Sequence, residues 1–529
     1  MRLEGKNMIG KFASAKGSTF FQATNPVSTQ KLPPHFYEAT SQEIDAAIQK
    51  SYQAFQEYRN VSGKKKAAFL TTIAEEIIAL GDDLIQRCME ETGLTEARML
   101  NERQRVINHL KMFASLVTEG SWVDARIDLA QPDRKPLAKT DIRSMQRPLG
   151  PVGVFGASNF PLAYSVAGGD TVSALAAGCT VVIKAHPAHP GTCELVGRAV
   201  LNAVEKNNLP DGIFSMIHGE SPDVGLALVR HPLIKAIGFT GSFRGGKALF
   251  DEANNRPSPI PVYAEMGSTN PVFILPGILQ QQRDVIAQGL AASVTLGVGQ
   301  FCTNPGLVFI QSSKEGKEFT TTLSKHIEDT NPGVMLTQTI QCNYEKGVER
   351  LVESGDVQTI ARGKQNGSGF TGVANLFQST VKSFLSDHLL EEEVFGPSTL
   401  LITASTKNEL IQAAGKLGGH LTATVHGTEE DFNTYSDLIS ILEQKAGRLI
   451  INGYPTGVEV CDSIVHGGPF PATTDSRTTS VGTMAITRFT RPVCYQNFPT
   501  SLLPSELQNT NTLQLWRLVN GERTKNNAQ

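Results

Sequence analysis

In the run Leu296-Gly297-Val298-Gly299-Gln300-Phe301-Cys302-Thr303-Asn304-Pro305, a sulfur sits behind two glycines and ahead of an Asn-Pro turn signal. Glycines let a backbone approach its neighbours closely, so Cys302 is expected on a tightly shaped connection where its thiolate could act as a nucleophile. A cysteine alone is more often a small buried hydrophobe, and Cys88, Cys179 and Cys193 read as core or surface thiols. A second group, Gly156-Ala157-Ser158-Asn159-Phe160-Pro161, follows an apolar run that reads as a parallel strand. Asn159 there either caps a helix opened by Pro161 or offers its amide to an oxyanion. Glu265, in Tyr263-Ala264-Glu265-Met266-Gly267-Ser268, ends an apolar run before a Gly-Ser pair. Burial at such a strand end would raise its pKa toward the range of a general base; a solvated or paired loop acid is the alternative.

Two further sites suit phosphate or ribose oxygens: Lys184 at one strand end, and Gly241-Ser242-x-x-x-Gly246 at another, where backbone N–H groups and a helix start converge. No G-x-G-x-x-G follows the obvious strands, and G-x-x-x-x-G-K-[ST] is missing. With no H-E-x-x-H, zinc cluster or G-x-S-x-G, no metal site is expected and metal hydrolysis and serine-elbow chemistry fall away.

The elements that must carry these residues alternate. Thr40-Ser41-Gln42-Glu43 has capping-box spacing ahead of Ile44, Ile48, Phe55 and Tyr58 on one helical face, and a second helix follows Ser62-Gly63. From Gly153 onward, strand 152–156, a small-residue helix over 161–177, strands 180–184, 213–217 and 234–240 and their helices imply a parallel sheet. The Pro-rich stretch 256–261 marks a boundary into a second α/β region, in which Val262 to Glu265 is the first strand candidate. Residues 120–150 read as an exposed hairpin or linker, and 519–529 as a polar tail expected to fray.

The 529 residues are 40% hydrophobic and 19% charged, which suits a folded chain of several domain-sized units. Lys plus Arg total 48 against 51 Asp plus Glu, so the net charge of −3 gives no field for nucleic acid or acidic membrane surfaces. Seven widely spread cysteines without a C-x-x-C pair favour a reducing compartment. With no signal-like apolar segment at the N-terminus and no run of about 20 apolar residues, the expectation is a cytoplasmic protein without membrane contact.

Taken in order, these motifs resemble the aldehyde dehydrogenase superfamily over nearly the full length. The resemblance implies a three-part α/β fold: an atypical Rossmann-type dinucleotide-binding domain (1–124 and 149–261), an α/β catalytic domain (262–482), a β oligomerisation extension (125–148 and 483–500) and a C-terminal tail (501–529). It implies that Cys302 is the nucleophile, Glu265 the general base and Asn159 the oxyanion donor. Lys184, Gly241, Ser242, Gly246 and Glu393, the last in Glu393-Val394-Phe395-Gly396-Pro397, would bind NAD or NADP. Gly297 and Gly299 would keep space clear for nucleophile or nicotinamide.

Two departures from the family pattern stand out. Where many NAD-preferring relatives have K-P-x-E, this chain reads Lys184-Ala185-His186-Pro187, so NADP is expected to be tolerated and possibly preferred, with His186 or His189 near a phosphate. Met266-Gly267-Ser268-Thr269-Asn270-Pro271 replaces the common L-G-G-K-N/S-P.

The segments GASNFPLAYSVAGG, IKAHPAH, HGGPFPATTD (466–475) and RPVCYQNFP (491–499) are similar to a branch containing 2,5-dioxovalerate dehydrogenases. That branch lies near NADP-dependent fatty-aldehyde dehydrogenases. The implied reaction is oxidation of 2,5-dioxopentanoate to 2-oxoglutarate, with a long alkyl aldehyde as the alternative. Arg488 and Arg491 are charge candidates for a dianionic product, though a solvated or intersubunit role suits them better; Phe160 and Phe470 are candidates for packing on substrate carbons. A homodimer or homotetramer is implied. A cofactor-independent cysteine esterase and a noncatalytic scaffold are the remaining alternatives.

Overall fold

The computed structural model describes residues 2–529. Its first sheet has the strand order Val262–Glu265, Ala236–Thr240, Pro151–Phe155, Thr180–Lys184, Phe214–Ile217, Asn7–Ile9, Phe12–Ser14. The first five are parallel and the last two join antiparallel. Every residue of Pro151–Phe155 is buried, as a central strand covered on both faces requires. The helices Ser41–Tyr58 and Gly63–Ala79 begin where their caps place them: Thr40 and Glu43 form a reciprocal capping box, and the Ser62 hydroxyl accepts from Lys65 N.

Two sequence expectations need correction here. The helix expected over 161–177 is confined to Gly169–Ala177. The Glu102 carboxylate takes the N–H groups of Leu162 and Ala163, each at 3.0 Å, and residues 161–168 fold as turns around it. The boundary drawn at 261/262 falls one strand too early, because Val262–Glu265 pairs along its whole length with Ala236–Thr240. Glu265 therefore ends an edge strand of the first sheet, on the side that meets the second.

That second sheet runs Gln358–Arg362, Asn375–Thr380, Ser398–Ala404, Leu307–Gln311, Val272–Ile274, His420–His426, Ala446–Ile451, all parallel except the first pair. Phe273 and Phe309 stack at 4.6 Å within its core. The two sheets enclose separate apolar clusters, so the groove between them is bordered by strand ends and loops, where ligand crevices form in this class of sheet.

A third sheet gathers Thr490–Gln496, Ile142–Pro148, Arg126–Asp128, Arg517–Val519 and Glu522–Thr524. The segments 125–148 and 483–500 pair with each other from Pro148↔Thr490 to Ile142↔Gln496. Of the stretch 519–529 expected to fray, Glu522–Thr524 instead forms the last strand of this sheet and Val519 closes its neighbour Arg517–Val519. Buried Arg517 donates to the carbonyls of Gln508, Asn509 and Asn526, and Asn511 Nδ2 donates to those of Leu515 and Lys525, so the polar composition is used to satisfy backbone acceptors. Among the described residues no helix is long and apolar enough to cross a membrane.

Candidate active site

The helix Pro276–Thr295 ends in a turn whose backbone is left-handed at Gly297 (φ 56°), Val298 (φ 60°) and Gly299 (φ 65°). A side chain at 299 would put its Cβ 2.1 Å from the Gly396 carbonyl oxygen, and one at 297 would meet the Phe301 ring at 2.7 Å. These glycines thus serve close approach, as the sequence suggests, with Gly396 and Phe301 the neighbours a side chain would meet first. The loop is pinned beyond them: Asn270 Nδ2 donates to the carbonyls of Cys302 and Asn304, both at 2.9 Å, and Leu336 N donates to Gln300 Oε1 at 2.9 Å. Cys302, half-buried, emerges from a backbone with little room to move.

Glu265 faces that sulfur. A stretch of 466–480 wraps its strand end: Met266 N donates to Ala472 O at 2.8 Å, and the Ser480 hydroxyl donates to Glu265 Oε2 at 2.5 Å. His466 Nε2 lies 2.9 Å from Glu265 Oε1 and 3.5 Å from Cys302 Sγ. Glu265 and His466 are 1% and 0% exposed. Burial does oppose ionisation of Glu265, but the His466 and Ser480 contacts and nearby Arg488 outweigh it and hold the carboxyl below its ordinary value. The raised pKa expected from burial is thereby overturned; the group is an ionised acceptor at neutral pH. The opposite holds for Cys302, whose thiol is pushed well up by burial and then by the facing Glu265. Proton removal must therefore accompany its attack on a carbonyl.

The arrangement differs from a hydrolytic triad. There, one imidazole nitrogen faces the nucleophile and the other the acid. Here both contacts converge on Nε2, and Nδ1 is buried without a hydrogen-bond partner. The three donor atoms lie within 4.8 Å of one another, with His466 Nε2 in contact with both the acid and the sulfur.

Asn159 Nδ2 donates to Gln300 O at 3.1 Å, two residues before Cys302, while its carbonyl accepts from Arg98 at 2.9 Å. It caps no helix, since the next one starts at Gly169 behind Gly168; its amide is instead bonded to the Gln300 carbonyl. Phe160 and Phe301 meet edge to face at 5.4 Å, and the Arg98 guanidinium stacks 4.7 Å from each ring. Phe160 thus packs on the residue that precedes Cys302, whereas Phe470 is 55% exposed and packs on Phe243.

Around the same groove lie the groups suited to a dinucleotide. Ser242 caps the helix Phe243–Asn254 by accepting from Gly245 N, leaving an exposed N-terminus beside Gly241. Gly246 allows that helix to press on Met266, which a Cβ would meet at 2.6 Å. Lys184 donates to Gly219 O, and burial pulls its ammonium down to about 8 against the pull of Glu38 and Glu220. Glu393 packs on the Gly267 backbone; burial pushes it up to about 7, against a hydrogen bond from Ser268. An exposed helix start, an ammonium and a carboxyl are the group types that fit a phosphate and ribose hydroxyls.

A family model described as the aldehyde dehydrogenase family matches residues 12–484. The chain belongs to the aldehyde dehydrogenase family. It is an NAD(P)-dependent aldehyde dehydrogenase, an enzyme that oxidises an aldehyde or semialdehyde with a cysteine-dependent mechanism. It is 47% identical over 523 residues to "Alpha-ketoglutaric semialdehyde dehydrogenase 2" of Azospirillum brasilense, covering 99% of this chain and 100% of that one. Against "Alpha-ketoglutaric semialdehyde dehydrogenase" of Acinetobacter baylyi the identity is 45%, covering 99% of each. A betaine aldehyde dehydrogenase from Staphylococcus aureus, solved in complex with NAD+, superimposes with a TM-score of 0.79 at 19% identity, covering 93% of this chain and 95% of that one. The fold is therefore that of the family: Rossmann-like domain, α/β catalytic domain and β oligomerisation extension.

Sequence reasoning missed three groups in this aldehyde dehydrogenase. His466 opens a segment noticed only for its resemblance, and Ser480 carries no motif at all. Arg488, expected to be solvated or intersubunit, is 1% exposed and pairs with Asp170 at 3.0 Å next to the Glu265 carboxylate; Arg491 is exposed. A lone arginine in a tail gives no sign of burial, because the acid it pairs with is more than 300 residues away.

Proposed function

We propose that this aldehyde dehydrogenase oxidises 2,5-dioxopentanoate to 2-oxoglutarate. The observation that carries the chemistry is the convergence of Cys302, His466 and Glu265 within 4.8 Å, and full-length similarity to two α-ketoglutaric semialdehyde dehydrogenases supports the substrate. Cys302 sulfur adds to the aldehyde carbon as its proton passes to the His466–Glu265 pair. The Asn159 amide, released from Gln300, and the Cys302 backbone N–H hold the developing oxyanion. When bound, the dinucleotide accepts the hydride that leaves the thiohemiacetal carbon, and a thioester remains on Cys302. Glu265, ionised at neutral pH, then takes a proton from the water that attacks the thioester, releasing the acid and the thiol.

Lys184, Glu393 and the Gly241–Gly246 loop would hold the dinucleotide. The sequence leaves NADP open because Pro187 supplies no acid. Glu38 reverses that balance: its carboxylate accepts from Glu220 N at 2.6 Å and Ser221 N at 2.8 Å, occupying the start of the helix Pro222–Arg230. With Glu220 it sets negative charge around Lys184, which repels a 2′-phosphate and favours NAD.

The strand Thr490–Gln496 is paired on one edge only, which supports assembly as a homodimer or homotetramer through that edge. Seven free thiols support a cytoplasmic site of action. The test is kcat/KM for 2,5-dioxopentanoate, succinic semialdehyde, glutaraldehyde and decanal with each cofactor. The first substrate with NAD is expected to rank highest; decanal ranking highest would overturn the substrate assignment.

A further inference from the structure

Resting on the 2-oxo-acid reading above, we infer that Arg105 and Arg448 form the carboxylate-binding end of the aldehyde site. The two arise from different parts of the fold. Arg105 lies on the helix Glu96–Glu119 and Arg448 on the edge strand Ala446–Ile451 of the second sheet. Among the described residues, neither guanidinium has a carboxylate within 4 Å. Arg98, by contrast, has Glu102 Oε2 at 3.6 Å and is stacked between Phe160 and Phe301, and Arg488 is closed against Asp170.

Their attachments tie both to elements that touch the Cys302 surroundings. Arg105 donates to the Tyr164 hydroxyl at 3.0 Å; the Tyr164 ring lies 6.3 Å from that of His466, which touches Cys302. On its other side Arg105 stands 5.9 Å from the Phe160 ring. Glu102, one turn away on the same helix, is engaged directly by Leu162 N, Ala163 N and Arg98, and reaches Arg105 only at longer range.

Arg448 is held by Pro455 O at 2.7 Å and Gly457 O at 3.1 Å, and its buried Nε has no partner. Its neighbour Gly447 packs so closely on the Gly467 carbonyl that a Cβ would come within 2.2 Å, which ties this strand to the His466 segment. Arg448 lies within electrostatic reach of the Cys302 and Tyr164 side chains, and Arg105 within reach of Cys302.

Two half-buried guanidinium groups without a carboxylate in ion-pair contact are costly in an empty site and are relieved by an anionic ligand. A planar carboxylate with an adjacent keto oxygen matches the donor fork of arginine, which a hydrocarbon tail does not. The site accordingly takes short aldehydes that end in a carboxylate.

The test compares the wild-type enzyme with Arg105→Met and Arg448→Met, using 2,5-dioxopentanoate and pentanal under saturating NAD. The ratio of the two kcat/KM values is expected to fall by about 10- to 100-fold in each variant, chiefly through KM of the oxo acid. A ratio unchanged in both would overturn the assignment. Should either Met variant fail to fold, Arg105→Lys and Arg448→Lys retain charge without the fork, and the ratio is expected to fall by a smaller factor; no fall is contrary. A wild-type enzyme without preference for the oxo acid would refute the substrate reading instead. Inhibition of pentanal oxidation by 2-oxoglutarate then decides the arginine site: wild-type inhibition weakened in the variants supports it, and absent or unaltered inhibition refutes it.

Discussion

The imidazole of His466 and the carboxylate of Glu265 stand 2.9 Å apart in a region closed to solvent, with the sulfur of Cys302 against the same imidazole nitrogen. Contact with His466 helps keep Glu265 ionised against its burial. The group proposed to accept a proton from water is thus ionised, while the raised thiol stays protonated until a carbonyl arrives.

Replacing His466 by Gln removes a contact that lowers the Glu265 pKa, so that pKa rises. Deacylation requires the ionised form and is lost as pH falls through the pKa. The acidic limb of the kcat profile is therefore expected to move to higher pH. An unmoved limb in a folded, active variant would show that His466 does not tune Glu265.

Cofactor affinity carries two titrations of opposite sign. Glu393, raised to about 7 by burial, accepts hydroxyl hydrogens best when ionised, above that value; Lys184, lowered to about 8, donates as an ammonium only below it. NAD binding, followed by quenching of intrinsic fluorescence, is expected to be tightest between the two. Glu393→Gln flattens the acidic side only.

Neutralising Glu38 and Glu220 together as glutamines removes the charge that opposes a 2′-phosphate. The Kd for NADP is expected to tighten by about tenfold relative to that for NAD, a change of roughly 1.4 kcal/mol. Equal shifts for both cofactors would mean that these acids act only on the fold.

The buried pair Arg488–Asp170 is a stability element. Arg488→Met leaves the Asp170 carboxylate uncompensated, and urea unfolding is expected to show a loss of about 3–5 kcal/mol. The doubly substituted Arg488→Met, Asp170→Asn chain recovers part of that loss. Incubation with EDTA, on the other hand, is expected to leave turnover unchanged, because the proposed chemistry at Cys302, His466 and Glu265 draws on no bound ion.

Features with a local cause were legible in the sequence. The caps at Thr40 and Ser62, the apolar strands ending at Lys184 and Glu265, and the glycine turn before Cys302 follow from neighbouring residues alone. The shortened helix at Gly169 was not legible, since the Glu102 carboxylate that holds Leu162 and Ala163 lies some 60 residues earlier. Nor was the sign of the Glu265 shift: burial could be guessed, but His466 and Ser480 reach it from about 200 residues away. The ordered tail escaped for a similar reason, because Arg517 and Asn511 gain their partners only once the third sheet forms.

The most direct test of the account is the covalent state of Cys302 in a Glu265→Gln enzyme. Mixed with 2,5-dioxopentanoate and NAD, acid-quenched and digested, this variant is expected to yield one equivalent of NADH in a burst and an acyl group on the Cys302 peptide, with steady turnover reduced at least about a hundredfold. A full burst with Cys302 unmodified, or with the acyl group on another residue, would contradict it.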